Sequence, residues 1–188
     1  LVPSYHSPDK KDYTSYRYPC PVDDSTVVAV KSGLKDINSL VTIVHGKEKR
    51  LSYIGSINSR LDYRNGKIYW TEIVPGLRWT HENYSVLKCY DLKEGRIKSI
   101  TPRQRYLSPS VDKNGKVAAV SRTTVDGKNQ LVLVELEDGK ELFAFQVPGN
   151  AFIKELTFTD QDEVVAVAVT DAGISLLQFT PSSGQWEE

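Results

Sequence analysis

Histidine and acidic side chains in this 188-residue chain lack the spacing of a metal site. His81 is followed by a glutamate, as in the zinc-binding His-Glu-x-x-His motif, but no second histidine lies four residues after it. His45 precedes a glycine in a predicted tight turn, where a solvated turn residue is expected. Asp112 and Asn114 could offer oxygen ligands to calcium, but the other positions of a calcium loop are missing, so both are interpreted as turn residues. The sequence therefore predicts no metal ion and no cofactor.

Catalytic nucleophiles also lack their usual surroundings. The chain contains neither the Gly-x-Ser-x-Gly nucleophile elbow nor a glycine-rich phosphate loop after a strand. Its two cysteines, Cys20 and Cys89, form no Cys-x-x-Cys pair, which argues against a zinc ribbon and against a thioredoxin-like redox site. A disulfide between them and two separate thiols both stay open. We predict no catalytic residue and hence no enzyme activity within this chain.

Residues suited to molecular recognition concentrate in two predicted loops. Arginine, tryptophan and tyrosine are enriched in binding hot spots, and long loops on rigid scaffolds often carry function. The predicted binding residues from loops 74–84 and 102–106 are Arg78, Trp79, His81, Tyr84, Arg103 and Arg105. The alternative is packing, in which Trp79 covers the end of its own sheet. Arg78 would then pair with Glu72 or Glu82.

Charge and composition narrow the class of partner. Lysine and arginine total 24, as do aspartate and glutamate, so the net charge is zero. Proteins that bind nucleic acid or anionic membranes need a basic excess, and we therefore predict neither partner. No apolar run approaches the roughly 18 residues of a membrane span, so no membrane insertion is expected. The complete absence of methionine indicates a processed or excised piece of a longer protein.

A repeat along the whole chain must position these loops. Glycine-containing turns recur at spacings of 49, 44 and 45 residues. The turn glycines are Gly46, Gly95, Gly139 and Gly184. Short runs rich in β-branched and aromatic residues flank each turn, and 164–169 is a continuous apolar run of the kind found in strands buried on both faces. Apolar residues nowhere follow the spacing of an amphipathic helix.

Four consecutive units of four short antiparallel strands predict an all-β fold of β-propeller blades. Propellers usually hold four to eight blades, and closed ones commonly hold six to eight, so about four blades predict a partial propeller. A connecting arm at 1–12 is predicted to precede a propeller fragment at 13–188, with blades at 13–57, 58–104, 105–149 and 150–188. A β-sandwich is the alternative fold, since it also has many short strands at regular intervals. In a propeller, loops between second and third strands emerge on the same face as loops between blades, which places loop 74–84 beside loop 102–106.

The third unit carries a family-like repeat. Residues 105–120 resemble the S-P-s-S-P-D-G-k-x-I-A-f repeat of TolB-like, WD-repeat-like propellers, which also occurs in the propellers of prolyl-oligopeptidase and dipeptidyl-peptidase enzymes. Residues 90–95 are similar to the y-D-l-x-t-G turn of that family, and 99–101 to its blade ending. The first and fourth units resemble the family only in strand pattern. Residues 112–115 keep the glycine turn of the repeat but lack its proline.

The resemblance implies a fold and a location: an extracytoplasmic bacterial propeller, in the periplasm or at the cell surface. In the oligopeptidase relatives the nucleophile lies on a separate hydrolase domain, and nothing of that domain is expected in these residues. We therefore expect a non-enzymatic binding or scaffolding module of a larger exported protein. Its partners would be other domains of the parent chain or a protein, peptide or glycan. The alternatives are an accessory or gating propeller of a hydrolase or peptidase and a half-propeller completed by another chain. Open blade edges also offer self-association.

Overall fold

The computed structural model describes residues 14–34, 36–57, 59–76 and 83–187, and within them nearly all regular structure is β-strand. The predicted connecting arm lies outside the described residues. The first two sheets contain β1 (Thr14–Pro21), β2 (Thr26–Gly33), β3 (Asp36–Val44), β4 (Lys47–Tyr53), β5 (Asp62–Arg64), β6 (Lys67–Pro75), β7 (Asn83–Asp91) and β8 (Arg96–Ser99). The last two contain β9 (Tyr106–Val111), β10 (Val117–Thr123), β11 (Asn129–Glu135), β12 (Glu141–Gln146), β13 (Phe152–Phe158), β14 (Val164–Thr170), β15 (Gly173–Thr180) and β16 (Gln185–Glu187).

Each group of four consecutive strands forms one antiparallel sheet in simple chain order. Sheet 1 contains β1 to β4, sheet 2 contains β5 to β8, sheet 3 contains β9 to β12 and sheet 4 contains β13 to β16. A 3₁₀ turn at Pro148–Asn150 connects sheets 3 and 4. Four separate sheets packed in series exclude the two-sheet sandwich, and the prediction of an all-β partial propeller is confirmed.

Two tight turns have the backbone conformation of a type I′ hairpin turn, and a third differs from it. His45-Gly46 and Asn65-Gly66 both have positive φ at each residue, as a type I′ hairpin turn requires. Asn114 does not have positive φ, so the other Asn-Gly pair makes a different turn. The Asp112 carboxylate causes the difference, because it accepts hydrogen bonds from the backbone N–H groups of Lys116 at 2.7 Å and Val117 at 2.8 Å. Asp112 is therefore a turn residue, as expected, but by an Asx-type mechanism.

The central strands of sheets 2 and 3 contribute to a core on each of their two faces. In β6, Ile68 and Trp70 pack with Val30 of sheet 1, whereas Tyr69, between them in sequence, packs with Val120 of sheet 3. Successive residues of a strand point to opposite faces, so one strand supplies two different cores. The same alternation continues between sheets 3 and 4, and each sheet is thereby fixed by its neighbours.

Sheet 4 has one covered face and one exposed face. Its covered face contributes Leu177 and Phe179 to the core shared with sheet 3. On the opposite face, Ile174 and Leu176 are 71% and 63% exposed, and Phe152 lies among the exposed apolar residues as well. The apolar run at 164–169 is consequently buried only at alternate positions.

Buried polar contacts connect the first strands of three sheets. The Asp62 carboxylate on β5 accepts the Val111 backbone N–H at 2.6 Å and the Ser110 hydroxyl at 3.3 Å, both on β9. Ser110 Oγ in turn accepts the Phe158 backbone N–H on β13 at 3.0 Å. The side chains of Asp62 and Ser110 are both buried. Hydrogen bonds to a buried carboxylate are strong, so these contacts fix the sheets in register with one another.

The neighbours Leu176 and Leu177 provide a matched test of the packing. Leu177→Ala should lower the free energy of unfolding by about 2–4 kcal/mol, because it opens a cavity between sheets 3 and 4. Leu176→Ala should lower it by less than about 1 kcal/mol, because Leu176 is mostly exposed. Urea unfolding followed by tryptophan fluorescence measures both values. Equal losses for the two variants would contradict the assigned sheet faces.

Candidate binding face

Three of the predicted binding residues lie within the described structure: Tyr84, Arg103 and Arg105. Tyr84 is at the start of β7, and the two arginines are in the loop that connects sheet 2 to sheet 3. Arg103 is exposed, whereas Tyr84 and Arg105 are half-buried. The other predicted members, Arg78, Trp79 and His81, lie outside the described residues.

A backbone bridge holds the two predicted loops together. The Ser85 N–H donates to the Gln104 carbonyl at 2.6 Å, and the Gln104 N–H donates back to the Ser85 carbonyl at 2.8 Å. Ser85 is buried, and its hydroxyl donates to the Tyr106 carbonyl at 2.6 Å. The residues next to Tyr84 and Arg105 are thus fixed by paired main-chain bonds.

The bridge brings a cation and an aromatic ring into contact distance. The guanidinium carbon of Arg105 lies 6.0 Å from the centre of the Tyr84 ring, at the outer limit of a cation–π interaction. Tyr84 and Arg105 therefore share one face, as the loop argument predicts, with Arg103 two residues away. Their role in binding stays a prediction.

A buried glutamate of sheet 2 forms a second group of contacts within the sheet that carries Tyr84. Glu72 accepts hydrogen bonds from the Lys88 ammonium at 2.5 Å, the Gly55 N–H at 3.0 Å and the Trp70 indole at 3.4 Å. A Cβ atom on Gly55 would lie 2.8 Å from the Glu72 carboxyl carbon, which explains the glycine there. The alternative pairing of Arg78 with Glu72 involves a residue outside the described structure. Within that structure, Glu72 already neutralises Lys88.

A groove between the first strands of sheets 1 and 2 was not predicted from the sequence. It has a volume of about 580 Å³ and lies between the end of β1 and the segment 60–64. Arg60, Asp62 and Arg64 line it, together with prolines from β1. The sequence feature that indicates this groove is the alternation of charged with apolar or aromatic residues along 60–64. That signal is visible only once 60–64 is known to be the first strand of a blade.

Both cysteines are free and buried, so the disulfide alternative is wrong and the two-thiol alternative is right. Burial, together with the nearby Asp62 carboxylate, raises the pKa of the Cys20 thiol to about 11. Burial also raises the pKa of the Cys89 thiol. Thiols with raised pKa values are protonated at neutral pH and are poor nucleophiles.

In the described part of the chain, histidine, cysteine, aspartate and glutamate form no group of three or more that could hold a metal ion. No helix among these residues is long and apolar enough to span a membrane.

Comparison with known proteins gives matches in structure but not in sequence. No protein-family model matches the chain, and no curated protein matches it significantly. TolB from Acinetobacter baumannii superposes with a TM-score of 0.61 at 13% identity, covering 80% of this chain and 37% of that chain. The β-propeller domain of the trilobed protease from Pyrococcus furiosus gives 0.52 at 12% identity, covering 72% and 42%. An acylaminoacyl peptidase in complex with a chloromethyl ketone gives 0.63 at 14% identity, covering 93% and 32%.

These similarities establish a TolB-like β-propeller fold. Identities this low show the fold alone. The chain spans less than half the length of each of these three structures. The resemblance stated for the third unit is thereby confirmed at the level of fold.

Alkylation measures the state of the thiols. We expect Cys20 and Cys89 to react with iodoacetamide at pH 8 at least about tenfold more slowly in the folded chain than in urea, because both are buried and protonated. Mass spectrometry of the unreduced chain should show two labelled cysteines after unfolding. Rapid labelling of Cys20 in the folded chain would contradict its burial and its raised pKa.

Proposed function

We propose that this chain is a non-enzymatic binding module, a rigid part of a propeller that presents one loop face to a protein, peptide or glycan partner. The observation that carries this proposal is the Ser85–Gln104 backbone bridge, which fixes Tyr84 and Arg105 side by side. Arg78, Trp79 and His81 precede this bridge in the sequence and complete the proposed set of binding residues, and Arg103 belongs to the loop that contains Gln104.

Preorganisation is the physical basis of the proposal. Binding orders side chains and loops at an entropic cost, and a site that is already fixed avoids part of that cost. Tyrosine adds contact area with few rotatable bonds, and arginine adds directional donors. The paired main-chain bonds at Ser85 and Gln104 supply the rigidity, because they join the connecting loop at Gln104 to the buried Ser85 of β7.

The setting of the module is part of the proposal. We place it in a larger exported bacterial protein, in the periplasm or at the cell surface, on the basis of its repeat and its fold. The exposed apolar face of sheet 4 supports a function within a larger assembly, because Ile174 and Leu176 correspond to positions that neighbouring sheets cover elsewhere in the chain. Other domains of the parent protein are the partners that this face favours.

A second candidate function is an accessory or gating propeller of a peptidase. The observation in its favour is that two of the matched structures are a protease propeller domain and an acylaminoacyl peptidase. In that case the catalytic domain would lie outside these residues. The sequence of the parent protein separates the two candidates, because a hydrolase motif supports the second and further propeller units alone support the first.

Peptide selection tests the loop face directly. A random peptide library displayed on phage is selected against the wild-type chain, and the enriched peptides are then measured against a Tyr84→Ala/Arg105→Ala variant. We expect affinity to fall by at least about tenfold, because aromatic and arginine side chains dominate binding energy at such sites.

Arg96→Ala is the matched control, since Arg96 is an exposed arginine of β8 that pairs only with Glu94 among the described residues. Its effect on peptide affinity should be less than about twofold. Thermal unfolding verifies that every variant is folded. Selected peptides that bind the double variant as tightly as the wild type would contradict the proposed face.

A further inference from the structure

The groove between β1 and β5 combines two positive charges with an apolar wall. Arg60, in the segment before β5, and Arg64, at the end of β5, both line the groove. Pro19, Pro21 and Leu61 are among the apolar residues that line the groove. Its volume of about 580 Å³ lies in the range of small-molecule sites.

Both arginines are held in place yet keep donors available. The Arg64 Nε–H donates to the Val111 carbonyl at 3.2 Å. One terminal nitrogen of Arg60 donates to Thr157 at 3.4 Å and lies 3.9 Å from the Asp62 carboxylate. A guanidinium has five N–H donors, so these contacts with described residues leave several donors of each arginine unused.

The aspartate between them sets the net charge of the groove. Asp62 directs one carboxylate oxygen to Val111 and Ser110, so it is fixed by the protein and cannot move aside. Two arginines and one aspartate leave a single net positive charge at the groove. A bound monoanion would leave the groove neutral, whereas a bound phosphate dianion would leave it with a net negative charge.

The β1 side of the groove favours a ligand whose anionic group is attached to an apolar part. Pro19 and Pro21 have no N–H, so at these positions β1 offers contact area instead of main-chain donors. The Cys20 thiol also lines the groove, and it is protonated at neutral pH and adds no negative charge.

We propose that this groove binds the carboxylate of a short apolar peptide segment, with Arg60 and Arg64 as donors to the carboxylate and the β1 prolines against the apolar side chain. A guanidinium recognises a carboxylate by paired hydrogen bonds, which gives direction as well as charge. The site is separate from the Tyr84–Arg105 face and does not depend on the function proposed for that face.

The test uses two probes that differ only in the anion. Acetyl-Ala-Leu with a free carboxylate and the same dipeptide as its C-terminal amide are titrated into the ¹⁵N-labelled chain, and the Nε–Hε signals of Arg60 and Arg64 are followed by NMR. The acid should shift both signals saturably, and the amide should bind at least about tenfold more weakly, because it cannot form charge-assisted bonds. Inorganic phosphate serves as a third probe and should bind more weakly than the acid.

Arg60→Gln and Arg64→Gln should each weaken binding of the acid by about tenfold. Arg60→Gln is the safer variant for folding, since the Arg60 side chain is 36% exposed and its bond to Thr157 is long. Arg96→Ala and the Tyr84→Ala/Arg105→Ala variant should bind the acid like the wild type. Equal binding of acid and amide, tighter binding of phosphate, or unchanged binding by folded Arg60→Gln would each overturn the proposal.

Discussion

The structure depends on one constraint: a four-stranded sheet with two apolar faces cannot bury them alone. In this chain the central strands of sheets 2 and 3 send alternate side chains into two different cores, as Ile68 and Tyr69 do. No sheet is therefore an independent unit, and the order of the sheets follows from which faces match. Hydrogen bonds then set the alignment of the packed sheets. The bond from Val111 to Asp62 fixes β9 relative to β5, and the bond from Phe158 to Ser110 fixes β13 relative to β9. Packing supplies the free energy and the buried polar contacts supply the alignment.

The two candidate sites use this arrangement in different ways. The Tyr84–Arg105 face lies where a strand and a connection between sheets are joined by backbone hydrogen bonds, so its side chains stand on a rigid base. The Arg60–Arg64 groove lies where the first strands of two sheets diverge, and its arginines are anchored by the neighbouring sheets at Val111 and Thr157. In both cases the side chains that could bind are half-buried, and each pair is anchored to a buried residue, Ser85 in the first site and Val111 in the second. That division explains how a scaffold can stay rigid while its surface is free to recognise a partner.

Much of the fold could be predicted from the sequence, because spacing and turn chemistry are local properties. The regular glycine turns gave the number of units, and positive φ at Asn65 and Gly66 follows from their residue types. Asn114 does not adopt positive φ, because the Asp112 carboxylate accepts hydrogen bonds from the N–H groups of its turn. The shared location of Tyr84 and Arg105 followed from strand direction. The Asp62 contacts and the groove could not be predicted, since they join residues separated by a whole repeat, such as Asp62 and Val111. The role of charged residues on a short strand cannot be inferred until the neighbouring sheet is known.

The central claim is that the four sheets form one cooperative body that holds the loop face rigid. Native-state hydrogen exchange tests it most directly, by comparing the amides of Ser85, Gln104 and Val111 with those in the middle of β10. The account predicts that all exchange with similar opening free energies, within about 1 kcal/mol, because the bridge and the Asp62 contact open only when the sheets separate. Exchange of Ser85 and Gln104 at the rate of an unprotected loop, with β10 still protected, would contradict it.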